Sequence, residues 1–327
     1  MAWNPQNYGR IVREFEEKGR LAREQAKFRA DALYVEIPEL GRIGGELAAT
    51  GVRIMAAITG GGDVQARLAE VKAQNQALQR EYRRILVENG YPENETEPHY
   101  ECTRCGDTGY AEGKLCDCMR QALILAGYES AGISVLMRDM SFDNFRTEYF
   151  LSDGEKALSA AIRNLEAARQ YAESVEEGSG KNLLLIGGTG LGKTHLSVAI
   201  ARRVVERGFD VVYETAQNIF SDFETERFQH SSAEDHVSRT ARYFECELLI
   251  IDDLGTEIAN QFTAACLYNL INTRLQRGLS TVINTNLSTE DIRKRYTDRI
   301  ASRLFGSFHP LLFQGHDVRA KKLKGMI

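Results

Sequence analysis

Three groups of residues have the types and spacing to do chemistry. The first is "GGTGLGKT", Gly187 to Thr194, which fits G-x-x-x-x-G-K-[ST], directly follows the apolar run "NLLLI" and opens the amphipathic stretch "THLSVAIARRVVERG". Glycines at Gly187, Gly188, Gly190 and Gly192, with Thr189 and Leu191 between them, let the backbone turn tightly enough for successive N–H groups to point at phosphate oxygens. The helix N-terminus adds its partial positive charge. In such a loop Lys193 reaches the β- and γ-phosphates and Thr194 holds magnesium, with His195 as the next residue of the helix. The second group is Asp252 and Asp253 in "ELLIIDDLG", at the carboxyl end of an apolar run. Two adjacent buried carboxylates are costly without a cation. Asp252 can hold magnesium through water, and Asp253 can orient or deprotonate an attacking water.

The third group is "CTRCGDTGYAEGKLCDC", which places Cys102, Cys105, Cys116 and Cys118 within one short segment. C-x₂-C followed by C-x-C, across a stretch bent by Gly106, Gly109 and Gly113, suits tetrahedral zinc. An iron–sulfur cluster or free thiols are the alternatives, and His99 can replace one thiolate. A phosphate loop without a leader predicts a reducing, cytoplasmic setting, where structural disulfides are disfavoured. Cys246 and Cys266 lie in apolar surroundings and read as small core residues.

The elements that must position these groups follow from periodicity. "DVVYETA", "ELLIIDD" and "STVINTN" read as strands alternating with amphipathic helices, which predicts an α/β fold: a parallel sheet with helices on both faces. The third strand ends in Asn284 and Asn286. Either can touch the attacking water or the γ-phosphate, and a turn role is the other reading. Upstream, a charge-laced helical stretch is followed by two stripes, Leu40, Ile43, Leu47, Thr50, Ile54, Ala57 and Val64, Leu68, Val71, Asn75, Leu78, Tyr82, Ile85. Separated by the helix-breaking "TGGGD", they predict an antiparallel helical hairpin with Asn75 on its seam. The expected domains are a helical region over 1–92, a cysteine-rich zinc module over 93–135 and the nucleotide-binding domain over 136–327.

The 327-residue chain carries a net charge of −5, which speaks against nucleic-acid binding by bulk charge, although from Arg293 onward nine Lys/Arg face two Asp. No apolar run has the length of a membrane span.

The order of "FDNF", "GGTGLGKTHL", "LLIIDDLG", "INTNLS" and "DRIASRLFG" resembles the AAA+ ATPases of the bacterial helicase-loader group, DnaC and DnaI, with the transposition helper IstB as a relative. The resemblance covers Ser141 to about Arg319. It implies that Lys193 and Thr194 are the Walker A pair, Asp252 and Asp253 the Walker B pair and Asn286 a sensor. Arg303 would be an arginine finger, with Arg299 one helical turn away as its competitor, and Arg319 a second sensor. Aspartate in place of the usual catalytic glutamate, and only a short stretch after Arg303 where a helical lid is usual, imply slow hydrolysis used for switching. The cysteine segment resembles the module that precedes the ATPase in some DnaI-like loaders. The function implied is ATP-dependent loading of a replicative ring helicase through the N-terminal region, with ATP, Mg²⁺ and Zn²⁺ as cofactors, single-stranded DNA as a further partner and ATP-dependent self-assembly. An IstB-like transposition helper and a nucleotide-clamped adaptor are the rivals.

Overall fold

The computed structural model describes residues 3–60, 63–134, 137–176, 178–228 and 239–323. Gly61 and Gly62 of the expected reversal, and Glu177 of "EEGSG", lie outside them. The chain forms two compact units, Arg10–Arg120 and a second made of the residues up to Gly9 together with Gln121 onward. The hairpin and the cysteine segment therefore share one unit.

In that unit the helices are α1 (Pro5–Glu36), which begins in the other unit, then α2 (Pro38–Ala48), α3 (Thr50–Thr59) and α4 (Val64–Glu88). The two stripes pack on each other, α2 and α3 together forming one arm and α4 the other. Leu40, Ile43 and Leu86 are fully buried, with Leu33 and Ile85 beside them. Asp63 caps α4, its carboxylate accepting from the N–H groups of Gln65 and Ala66. The first arm is two helices where the stripe reads as one. The break at Ala49 falls within a glycine-weakened stretch (Gly44, Gly45, Gly51), and the seam's polar pair sits beside it, Asn75 Nδ2 donating to Thr50 Oγ1 at 2.8 Å. The charged stretch is solvated: Arg20 pairs with Glu17 and Glu24 on the exposed face of α1. A two-stranded hairpin, β1 (Tyr110–Ala111) and β2 (Lys114–Leu115), leads into α5 (Asp117–Ser130).

The second unit is built on a five-stranded, all-parallel sheet. After α6 (Glu155–Ser174) come β3 (Asn182–Ile186), α7 (Lys193–Glu206), β4 (Val211–Thr215), α8 (Ala216–Phe228), α9 (Ala241–Glu245), β5 (Leu248–Leu254), α10 (Gln261–Arg277), β6 (Ser280–Thr285), α11 (Thr289–Arg295), α12 (Asp298–Ser307), β7 (His309–Leu312) and α13 (Val318–Leu323). The strand order is β4-β5-β6-β3-β7. Strands buried on both faces read as near-continuous apolar runs, and Leu183–Ile186 and Leu248–Ile251 are such runs. Their side chains alternate between two cores. Leu183, Leu185, Ile250 and Val282 pack with α6 and α7, whereas Leu184, Ile186, Leu249, Ile251 and Ile283 pack with α8, α10, α11 and α12. Because β3 lies beside β6, with β5 next, the carboxyl ends of these three strands form one ledge. The loop after β3, the aspartates of β5 and the asparagines of β6 all arrive there, where open parallel sheets bind ligands.

Candidate functional site

The loop after β3 keeps its shape through left-handed glycines. Gly190 and Gly192 have φ of 74° and 90°, and a Cβ on Gly192 would meet the Phe145 ring at 2.6 Å. Lys193, the first residue of α7, is buried. Its ammonium donates to the carbonyls of Gly187 and Gly188, both at 2.7 Å, and to Asn286 Oδ1 at 2.5 Å. Burial lowers its proton affinity and the charge of Arg319 acts in the same direction, while Asp253 and Asp252 oppose them. Thr194 Oγ1 lies 3.3 Å from Asp252 Oδ2 and donates to it.

The aspartates diverge although they are adjacent. The β5–β6 register shifts between Ile251 and Leu254, and Asp253 takes φ of 53°, rare for a residue other than glycine. Asp252 is thereby buried in the sheet, while Asp253 faces the cavity. Asn284, fully buried, donates from Nδ2 to Asp252 Oδ1 at 2.7 Å and to Ser197 Oγ at 2.8 Å, and the Asp253 N–H donates to Asp252 Oδ1 at 2.9 Å. Tyr213 donates its hydroxyl to Asp252 Oδ2. The amide nitrogen of Asn284 is thus spent on a carboxylate and a serine hydroxyl, its Oδ1 being buried without a partner among the described residues, and the Oδ1 of Asn286 is spent on a lysine. Burial, then the neighbouring charge of Asp252, raises the pKa of Asp253 above the ordinary value, against the pull of Lys193 and Arg319.

These groups open on a cavity of about 560 Å³. The loop residues from Thr189 to His195 form its floor, and Asp253 and Asn286 its inner wall. Phe145, Tyr149 and Phe150 supply an apolar wall that no chemical motif assigns to the site, although "FDNF" marks the place. His195 Nε2 bonds to the Ser141 carbonyl at 2.8 Å, and burial lowers its pKa, so the neutral ring donates through Nε2. Arg319 and Lys322 of α13 line the remaining side. Their helix is anchored by the buried Lys321, which bonds Asp153 Oδ2 at 2.6 Å and the Tyr149 carbonyl at 2.9 Å. Burial pushes Asp153 up, but the bonds from Lys321 and His316 outweigh it and hold the carboxyl at about 2.

Arg303 is elsewhere. Its guanidinium lies over the Tyr268 ring, 4.5 Å from the centroid, and donates to Asn272 Oδ1 at 2.9 and 3.0 Å. It does not line the cavity that holds Lys193. Arg299 is exposed, and its carbonyl accepts from Arg303 at 3.1 Å.

In the other unit, the Sγ atoms of Cys102, Cys105, Cys116 and Cys118 all lie within 4.8 Å of one another, with Cys102–Cys116 at 3.9 Å and Cys105–Cys118 at 3.5 Å. Tetrahedral zinc with thiolates at about 2.3 Å requires sulfurs about 3.8 Å apart, so this donor set fits it. The turn is fixed by the buried Asp107 (φ 55°), whose carboxylate accepts from the N–H groups of Glu101 at 2.9 Å and Cys102 at 2.8 Å. The Cys105 backbone N–H, then Cys118, lower the Cys102 thiol to about 7, whereas burial and the neighbouring cysteines push the Cys118 thiol well up, so the fit to a metal rests on the sulfur geometry. His99 is not part of the cluster. Cys246 is buried, and desolvation raises its thiol to about 11, whereas Cys266 is half-buried. No described helix is long and apolar enough to cross a membrane.

Residues 161–322 match the family described as IstB-like ATP binding protein. The replicative helicase loader DnaC of Escherichia coli (strain K12) is 26% identical over 178 residues, 54% of this chain and 67% of that protein. A putative ATP-binding protein in an insertion sequence of Mycobacterium tuberculosis (strain ATCC 25618 / H37Rv) is 26% identical over 230 residues, 68% of this chain and 86% of that protein. Among solved structures, that of a DnaC helicase loader aligns with a TM-score of 0.47 at 19% identity, over 55% of this chain and 100% of that one.

Proposed function

We propose that this chain, whose residues 161–322 carry the IstB-like ATP-binding domain, uses ATP to place a replicative ring helicase on single-stranded DNA. The observation that carries the ATPase part is convergence: Lys193, Thr194, Asp252, Asp253 and Asn286 leave three different strands and meet on one ledge. Lys193 gives up the Gly187 and Gly188 carbonyls when phosphate arrives and takes its β- and γ-oxygens instead. Thr194 and Asp252 are the residues that would hold magnesium, which when bound draws charge from the phosphate oxygens. Asp253 accepts the proton of the attacking water. It is one methylene shorter than glutamate, so its reach to that water is poorer and turnover is slow. Asn286, freed from Lys193, is within reach of the γ-phosphate. Arg303, remote from its own cavity, acts on a neighbouring chain's nucleotide, which makes assembly a condition of turnover.

The hairpin and cysteine unit grips the helicase. A segment too small for a core of its own needs the zinc that its four thiolates fit, and sulfurs this close leave room for one ion and none for several irons with bridging sulfide. The test is ATP-dependent assembly, on circular single-stranded DNA, of the replicative helicase encoded in the same genome. A chain with residues 10–120 replaced by a short glycine–serine linker is expected to bind ATP and to load nothing. One observation favours a second reading: the alignment with the insertion-sequence protein is longer than that with the loader. ATP-dependent filaments on duplex DNA, with no effect on helicase, would replace the loader by a transposition helper. Absence of steady-state phosphate release under both conditions would leave a nucleotide-clamped adaptor.

A further inference from the structure

Asp252 is held from behind by a side chain that belongs to no motif. Tyr213 stands in the middle of β4, 4% exposed, and donates its hydroxyl to Asp252 Oδ2. Burial, and after it the charge of Asp252, keeps the phenol well above its ordinary pKa, so the group is a neutral donor. The oxygen it holds is the same one that faces Thr194 Oγ1 at 3.3 Å. The other oxygen is taken by Asn284 and by the Asp253 N–H. The carboxylate therefore cannot rotate without breaking a bond at either end.

Tyr213 itself is fixed from both sides. On one, β4 pairs with β5, placing Tyr213 beside Ile250. On the other, where β4 would be the free edge of the sheet, the Tyr213 N–H donates to the Ala131 carbonyl at 2.7 Å. Gly132 (φ 79°) passes so close that a Cβ there would stand 2.6 Å from the Tyr213 carbonyl oxygen. A strand position clamped on both flanks, with its side chain aimed at one carboxylate oxygen, is more than space-filling requires, since phenylalanine would fill the same volume.

We propose that Tyr213 is the positioning residue for the magnesium-holding carboxylate: it sets the rotation of Asp252 so that Oδ2 and the Thr194 hydroxyl face the same point. The inference rests on reading the loop as a magnesium–nucleotide site, and its test separates the two. Outer-shell partners of this kind typically govern metal affinity by 10- to 100-fold.

The full-length chain, Tyr213→Phe and Tyr171→Phe are compared by the fluorescence of a labelled ATP analogue titrated with Mg²⁺, and again in EDTA. Tyr171 is also buried, but its hydroxyl donates to the Lys181 carbonyl at 2.9 Å, so it controls for general loosening of the core. Tyr213→Phe is expected to raise the Mg²⁺ concentration at half-maximal response about tenfold, with affinity in EDTA unchanged and Tyr171→Phe like wild type. A shift below about threefold, or an equal shift in Tyr171→Phe, overturns the proposal. Wild-type protein that binds no nucleotide under either condition overturns the site reading instead.

Discussion

Replacing Asn284 by aspartate puts a second carboxyl where an amide now donates to Asp252, at 2.7 Å and with no solvent access. If both groups stayed ionised about 4 Å apart, repulsion at an effective dielectric constant near 20 would be about 4 kcal/mol. That equals about three pH units, so near neutral pH, proton uptake by one of the pair and charged repulsion cost about the same. The folded pair then has a raised pKa. Its proton is already present in both states below the unfolded value of about 3.9, and the penalty grows as pH rises above that. At pH 5 the proton costs about 1.5 kcal/mol and at pH 7 about 4, a difference of about 2.5 kcal/mol. For a unit of roughly 200 residues this is about 5 to 10 °C in Tm. The assay is thermal unfolding of wild type, Asn284→Asp and Asn284→Ala at several pH values between 5 and 8 without nucleotide. Relative to wild type, the Asn284→Asp deficit is expected to shrink by that amount on acidification, while the deficit of Asn284→Ala, which brings no second charge, shrinks by less. A deficit that is constant or grows toward pH 5 would refute the view that Asn284 serves an ionised Asp252.

Lys193→Ala should abolish nucleotide binding measured by calorimetry, whereas Asp253→Asn should bind and fail to release phosphate, because in the proposed site the lysine meets phosphate in the ground state and the aspartate acts on water. Since burial and Asp252 raise the pKa of Asp253, phosphate release should fall on acidification with a midpoint above that of an ordinary aspartate, and a profile that falls only at or below the ordinary value of about 3.9 would count against it as the base. Mixing Arg303→Ala with Lys193→Ala chains should restore some turnover, because one interface then pairs an intact pocket with an intact finger; no recovery at any ratio would shift the role to Arg299 or to the arginine's own pocket. Elemental analysis should find one zinc per chain, lost from Cys102→Ser with Cys105→Ser while ATP binding persists.

Much of the fold is legible because its signals are local. The phosphate loop announces itself through glycines whose left-handed φ no other residue adopts cheaply, and the apolar runs of β3 and β5 follow from burial on both faces. The hairpin is legible because two stripes need a partner and each supplies one to the other. What escapes is short or irregular. The edge strand β7 has four residues, one of them Pro310, and its pairing with β3 rests on neighbours distant in sequence. The break at Ala49 depends on a balance of weak propensities that a heptad stripe does not record.

The site divides along a different line. The residues proposed to touch phosphate or metal sit in motifs, since the spacing such ligands require is set by the loop. Residues that hold those residues do not, since any element packed nearby can supply them. Tyr213 reaches Asp252 across 39 positions and Asn284 across 32, from strands whose sequences say only that they are buried. "STVINTN" carries asparagines two apart, and periodicity cannot tell them apart. Only the register of β6 beside β5 and β3 assigns Asn284 to the carboxylate and Asn286 to the lysine. Arg303 divides in the same way. Its role on α12 comes by resemblance, but its hold on Tyr268 and Asn272 follows from α10 packing beside it. Its donors are already spent on Asn272, Tyr268 and the Arg299 carbonyl, so the finger role proposed for it requires that those bonds be exchanged for a neighbour's phosphate.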